Sequence, residues 1–148
     1  MKIAIAADHG GYLLKEMIIG FLSNYDGVEV LDLGTNSTES VDYPQFGFAC
    51  GEAVAGGDAD RGIVVCGTGI GISIAANKVK GIRCALCTSV EMARLCRQHN
   101  DANILALGGR TTKTEDALMI VDTWLKTEFE GDRHARRVAM LDSYGADK

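Results

Sequence analysis

Cys66 ends a short apolar run, Ile63-Val64-Val65, and is followed at once by Gly67-Thr68-Gly69-Ile70-Gly71-Ile72-Ser73. Such a run reads as a buried β-strand. The alternating glycines read as a tight turn into a helix at about residues 72–77. A thiol is thereby set at the mouth of a glycine-lined helix N-terminus. Free backbone N–H groups there stabilise an anion, either a thiolate or a negatively charged intermediate. The thiolate is the reactive form of cysteine, so the arrangement suits a base or a nucleophile. The rival reading is a buried structural cysteine before an ordinary strand-to-helix turn, because free cysteine is among the most buried residue types.

Further polar groups follow other apolar runs. Asp8 and His9 follow the first strand, and Gly108-Gly109-Arg110 follow the fifth. His99-Asn100 end the helix before that fifth strand, and all of these groups are expected to gather on one rim of a sheet. Several motifs are excluded. The loop is not G-x-x-x-x-G-K-[ST], which argues against a P-loop ATPase. It reads G-x-G-x-G after the third strand, which makes a weak dinucleotide site. A cysteine-dependent phosphatase would need an arginine six residues after its cysteine, and position 72 is Ile. Cys84-Ala-Leu-Cys87 matches C-x-x-C but reads as a strand, where positions three apart point to opposite faces. A metal or redox role there is disfavoured.

The chain alternates strand and helix patterns. Strands are expected at about 3–7, 28–33, 61–66, 82–87 and 104–107. Leu14, Met17, Ile18, Phe21 and Leu22 recur at helical spacing over residues 12–24. Pro44 opens a second helix running to about Ala55. Ser89 suits the N-cap of a helix holding Met92, Leu95 and Cys96. Thr114 is expected to cap another, with Glu115 and Asp116 in its first turn. A last helix covers about 132–142. The pattern implies a single domain over 1–148. Its fold class is α/β: a Rossmann-like three-layer α/β/α sandwich of about five parallel strands with an additional C-terminal helix. Ligands in such folds bind beyond the carboxyl ends of the strands, near the switch in strand order.

Composition agrees with a soluble globular protein. The 148 residues are 47% hydrophobic and 24% charged, with a net charge of −5. The acidic balance argues against nucleic-acid binding, while a local basic site remains compatible with an anionic substrate. No apolar run reaches the roughly 18 residues of a membrane span. The N-terminus begins directly on a strand, leaving no room for a signal peptide, and a cytoplasmic location is expected. Five cysteines at 50, 66, 84, 87 and 96 are odd in number and make no disulfide framework.

Five stretches taken together carry a specific likeness. They are the run from Cys66 to Lys78, Asp8-His9-Gly10-Gly11, Asp42-Tyr43-Pro44, Arg97-Gln98-His99-Asn100-Asp101, and Gly131-Asp132-Arg133-His134-Ala135-Arg136-Arg137. Over nearly its whole length the chain closely resembles the ribose-5-phosphate isomerase B family, which also holds allose-6-phosphate and galactose-6-phosphate isomerases. The resemblance implies a Rossmann-like enzyme that interconverts aldose and ketose phosphates without a cofactor or metal. It further implies a homodimer or a dimer of dimers. It casts Cys66 as the proton-shuttling base and His99 as the group that opens the sugar ring, with Thr68 beside them. Asp8, Thr68 and Asn100 would contact sugar hydroxyls, and Tyr43 would line the pocket. His9, Arg110, Arg133 and Arg137 would contact phosphate. One branch of the family uses a glutamate in the glycine loop as its base. The matching position is Ile72, which puts this chain with the cysteine branch.

The chemistry fits the residue types. Isomerisation lifts a proton from C2 and returns it at C1, and the enediolate between needs preorganised donors. The Gly67, Gly69, Gly71 and Ser73 loop offers them as backbone N–H groups. A thiolate suits the base, a histidine suits proton exchange near pH 7, and forked arginines suit phosphate. Arg133 and Arg137, four apart, share a helix face that turns His134 away to an exposed position. By spacing alone each residue keeps a rival role. Asp8 equally suits a helix cap, and His99 a helix C-terminus. Arg133, Arg136 and Arg137 equally suit a solvated face, and Tyr43 packing beside Pro44. Ribose 5-phosphate is the expected substrate; a six-carbon sugar phosphate, or plain sugar-phosphate or nucleotide binding without catalysis, remains open on the same fold.

Overall fold

Ile3, Ile5 and Ala7 point to one side of the first strand, and Ala4 and Ala6 to the other, all of them fully buried. A strand apolar on both faces must lie inside a sheet covered on both sides. The computed structural model describes residues 1–145 and shows such a sheet. Its elements, in chain order, are β1 Lys2–Ala7, α1 Tyr12–Leu22, β2 Glu29–Asp32, α2 Tyr43–Ala55, β3 Arg61–Cys66, α3 Ile70–Asn77, β4 Cys84–Leu86, α4 Val90–Asn100, β5 Ile104–Gly108, α5 Thr114–Lys126 and α6 Arg133–Ser143. The five strands are all parallel in the order β2-β1-β3-β5-β4. Strand order reverses between β1 and β3, so the binding crevice of an open α/β sheet falls beyond Ala7 and Cys66.

The two faces carry separate cores. One packs α1, α4 and α5 on Ile3, Ile5, Ile63, Val65, Leu105 and Leu107. The other packs α2 and α3 on Ala4, Ala6, Val64, Ile104 and Ala106, and Cys66 belongs to it. Trp124 of α5 is fully buried; its indole N–H donates to the Ala102 carbonyl at 3.2 Å, and Arg61 lies over its ring. Burying an indole stabilises by about 4–6 kcal/mol in transfer terms. The helix α6 leaves the sandwich and packs on α4.

Several local expectations change. Met17 is 54% exposed, and the inward place on α1 goes to Lys15, which is fully buried. Its ammonium donates to both Asp32 oxygens, at 2.9 and 3.0 Å, and to Glu16 at 2.9 Å. A paired lysine thus fills a core position that hydrophobic spacing assigns elsewhere. Thr114 is the first helical residue of α5; Lys113 holds the N-cap position with no side-chain bond. Ser89 does cap α4, its Oγ accepting from the Met92 N–H at 3.1 Å. The fourth strand shrinks to three residues because it sits at the sheet edge and pairs only with β5.

Candidate active site

The strand β3 ends on Cys66, and four residues later the chain is already helical. That reversal requires Gly69, whose φ is +79° and whose added Cβ would lie 2.6 Å from Leu86 Cδ1 and 2.8 Å from the Leu107 carbonyl carbon. No other residue takes that conformation and that space without strain. The turn aims the Gly69 N–H at Cys66 Sγ, 3.1 Å away. Cys66 is buried, 5% exposed, and its sulfur thus accepts a backbone donor at the helix mouth.

The loop's other donors divide in two. The Ile70 N–H goes to Thr68 Oγ1 at 3.2 Å, and the α3 ladder begins with Ser73 N–H on the Gly69 carbonyl. The N–H groups of Gly71 and Ile72 are left over by helix geometry and point past the first turn. Ser73 spends its hydroxyl on the Ile70 carbonyl at 2.7 Å, so both its polar groups serve the helix. Thr68 is exposed beside the sulfur. A Cβ on Gly71 would sit 2.7 Å from the Tyr43 ring, so a glycine there lets the aromatic close over the loop.

The neighbouring loop after β1 completes one wall. Asp8, 8% exposed, accepts from the N–H groups of Gly10 and Gly11 at 2.9 and 3.1 Å through a single oxygen. It therefore closes the turn into α1 while its second oxygen stays outside these bonds. His9 Nδ1 accepts the Val41 N–H at 3.1 Å, which leaves Nε2 as the protonated nitrogen of the neutral ring. Asp8, His9, Val41, Asp42, Tyr43, Pro44, Gln45 and Phe48 line a groove of about 490 Å³. Arg110 follows β5; its N–H donates to the Gly67 carbonyl, and its guanidinium lies against Gly10 and Gly67. Asp8, His9, Tyr43, Cys66, Gly67, Thr68, Gly69, Gly71 and Arg110 thus share one rim.

His99 and Asn100 do not join them, contrary to the expectation of a single rim. The helix α4 runs back along the sheet and ends three residues before β5 begins. Ile104 pairs with Gly62, and Gly108 pairs with Cys66. Four strand steps, about 13 Å, separate those levels. His99 and Asn100 therefore stand at the rim opposite Cys66 within one chain. Asp101 fixes them there. It ends α4 at φ +48°, and its carboxylate takes Arg97 at 2.7 Å and Arg83 at 3.4 Å. Arg97, buried, also donates to the carbonyls of Ala102 and Thr127.

The second rim has its own constellation. The rings of His99 and His134 stack with centroids 4.4 Å apart at 15°. His134 is 5% exposed, which corrects the exposed position read from helical spacing: α6 lies on α4, and the face turned from solvent is the one carrying His134 and Val138. Burial, with Arg133, His99 and Arg137 close by, holds the His134 imidazole below its ordinary range. Arg133 and Arg137 flank it as their shared face requires, and both are exposed, as is Arg136.

The remaining thiols are structural. Cys84 begins β4 and Cys87 follows it, and they face opposite sides of the sheet, one toward each core. Burial pushes Cys50 up to about 12. Cys87 donates to Cys96 across 3.8 Å, which favours the Cys96 thiolate and holds Cys87 up. Sequence spacing gives no sign of that pair, because a strand end and a helix meet only in the fold.

The family described as Ribose/Galactose Isomerase matches residues 3–141. Ribose-5-phosphate isomerase B of Escherichia coli strain K12 is 53% identical over 140 residues, covering 95% of this chain and 93% of that protein. A structure of Clostridium thermocellum ribose-5-phosphate isomerase B superposes with a TM-score of 0.94 at 62% identity, over 96% of this chain and 95% of that one. The Mycoplasma genitalium ribose-5-phosphate isomerase B, solved with bound ribulose-5-phosphate, gives a TM-score of 0.93 at 42% identity, over 99% and 97%. Among the described residues, no helix is long and apolar enough to cross a membrane.

Proposed function

The chain belongs to the ribose/galactose isomerase family, and on that footing we propose that it interconverts ribose 5-phosphate and ribulose 5-phosphate. One observation carries the reading: a cysteine sulfur held by a backbone N–H at a helix mouth, in the crevice where strand order switches. Relatives at 53% and 62% identity bear the name of that activity, and one at 42% holds its ketose product.

The reaction divides between the two rims. His99 passes a proton to the ring oxygen and takes one from the anomeric hydroxyl, which opens the sugar. The Cys66 thiolate then removes the C2 proton. The electron pair moves into C1–C2, and the carbonyl oxygen gains charge as the enediolate forms. The open N–H groups of Gly71 and Ile72 receive that charge; one such donor is typically worth about 10²–10³ in rate. The thiol returns its proton to C1 while the hydroxyl proton moves between O2 and O1. Asp8, Thr68 and Asn100 bind hydroxyls, and Tyr43 covers the loop. His9 Nε2–H and Arg110 offer phosphate contacts on the first rim, and Arg133 and Arg137 on the second.

A single subunit holds the two rims apart, so the site is shared by a two-fold dimer in which His99 of one chain meets Cys66 of the other. Exposed apolar side chains support such an interface. Ile70 and Ile74 on α3 are 53% and 55% exposed, and Val90 and Met92 at the start of α4 are 36% and 43% exposed. The expected setting is cytoplasmic pentose phosphate metabolism. Replacing Cys66 by alanine tests the reading: kcat should fall by about 10²–10⁴ with KM little changed. Iodoacetamide should inactivate, and substrate should protect. Near-normal turnover in Cys66→Ala sinks the assignment. Coupled assays on ribose, allose and galactose phosphates should rank ribose 5-phosphate first in kcat/KM.

A further inference from the structure

The end of α4 and the segment leading into α6 gather a second kind of chemistry. A ring nitrogen of His99, a carboxylate oxygen of Glu130 and a ring nitrogen of His134 lie within 4.8 Å of one another. Glu130 is held beside the last turn of α4, its N–H donating to the Gln98 carbonyl at 3.1 Å. Glu130 Oε1 stands 3.5 Å from His134 Nε2. That nitrogen is buried and has no hydrogen-bond partner among the described residues. A buried polar atom is ordinarily satisfied, so this one calls for a ligand.

We propose that His99, Glu130 and His134 form a binding site for a divalent transition-metal ion of the zinc class, and that occupancy inhibits the enzyme by holding His99. Two imidazoles and one carboxylate suit zinc, cobalt and nickel and do not suit magnesium or calcium, which take oxygen ligands. Three such ligands leave a fourth position for water or an anion. Bonds of about 2.0–2.1 Å set tetrahedral donors roughly 3.3 Å apart, so the cluster must tighten by somewhat over an ångström. The stacked rings of His99 and His134 cannot both aim a lone pair at one ion as they lie. His134 is fixed by burial, whereas half-buried His99 and exposed Glu130 are free to turn about their side-chain bonds. The inhibition claim rests on the role given to His99 above.

Titration of the purified enzyme with Co²⁺ and Zn²⁺, read by absorption and calorimetry, tests both. One ion per chain should bind, and the cobalt spectrum should show nitrogen and oxygen ligands with no thiolate charge-transfer band. Glu130→Gln, on an exposed side chain, should weaken binding by at least about tenfold while leaving turnover in chelator unchanged. His134→Gln should weaken it as well. Zn²⁺ should inhibit wild type over the range in which it binds, and the inhibition should shift in parallel in Glu130→Gln. Absent stoichiometric binding, a thiolate band, or equal affinity in wild type and both variants overturns the site. Saturation at the site without inhibition overturns the role of His99 and leaves the site standing.

Discussion

Two inactive variants should restore activity to each other. On their proposed roles Cys66 and His99 act on adjacent atoms of one sugar, yet in a single chain they lie toward opposite ends of β5, which spans about 13 Å. If a two-fold dimer closes the gap, each site takes Cys66 from one chain and His99 from the other. Let Cys66→Ala protein be unfolded and refolded with an equal amount of His99→Asn protein. Random pairing makes about half the dimers mixed, and in a mixed dimer one site carries both lesions and the other neither. About a quarter of all sites are then intact, so activity should return to about that fraction of wild type. The assay is the coupled isomerase rate per total chain, with each variant refolded alone as the baseline. Recovery should also follow the mixing ratio, peaking at equal amounts. A rate no greater than the sum of the two variants places Cys66 and His99 in one subunit's site, and the reasoning from sheet register to a shared site fails.

Other outcomes follow from the same geometry. His99→Asn should cripple turnover of the cyclic sugar phosphate and spare an obligately open-chain analogue; equal losses on both would give His99 another task. Arg137→Ala should raise KM by roughly 30-fold, the worth of one charge-assisted phosphate contact, while Arg136→Ala changes KM little. Gly69→Ala should cost about 2–5 kcal/mol in urea denaturation, combining a left-handed φ with contacts at 2.6 and 2.8 Å, and should lower kcat even where it folds. Lys15 gives a pH signature. Burial pushes its ammonium down, but bonds to Asp32 and Glu16 outweigh this and hold it above the ordinary value. A raised pKa means the stabilisation is complete below the unfolded value near 10.4 and fades as pH climbs through the folded one. Wild type should therefore lose denaturation midpoint above about pH 10 more steeply than Lys15→Met; identical alkaline slopes would refute the pairing.

The sequence by itself determined the layered α/β fold and the central strands. Strands such as Ile3-Ala4-Ile5 and Ile63-Val64-Val65 are apolar on both faces, and period and length suffice to read them. It also placed the Cys66 thiol at a helix mouth, because a thiol, a glycine-rich turn and a helix start are neighbours in the chain. Asp8 shows where local reading stops: a turn-closing role and a ligand role were equal by spacing, and one oxygen closes the turn while the other stays outside it. Only tertiary structure decided the rest. Lys15 took a core position because Asp32, seventeen residues on, was brought beside it. His134 was buried because α6 lay down on α4, an encounter no helical period encodes. His99 went to the far rim because a helix connecting parallel strands must return to the end where the next strand starts. Register and packing between distant segments set these outcomes, and those are properties of pairs of elements, which no single stretch of sequence contains.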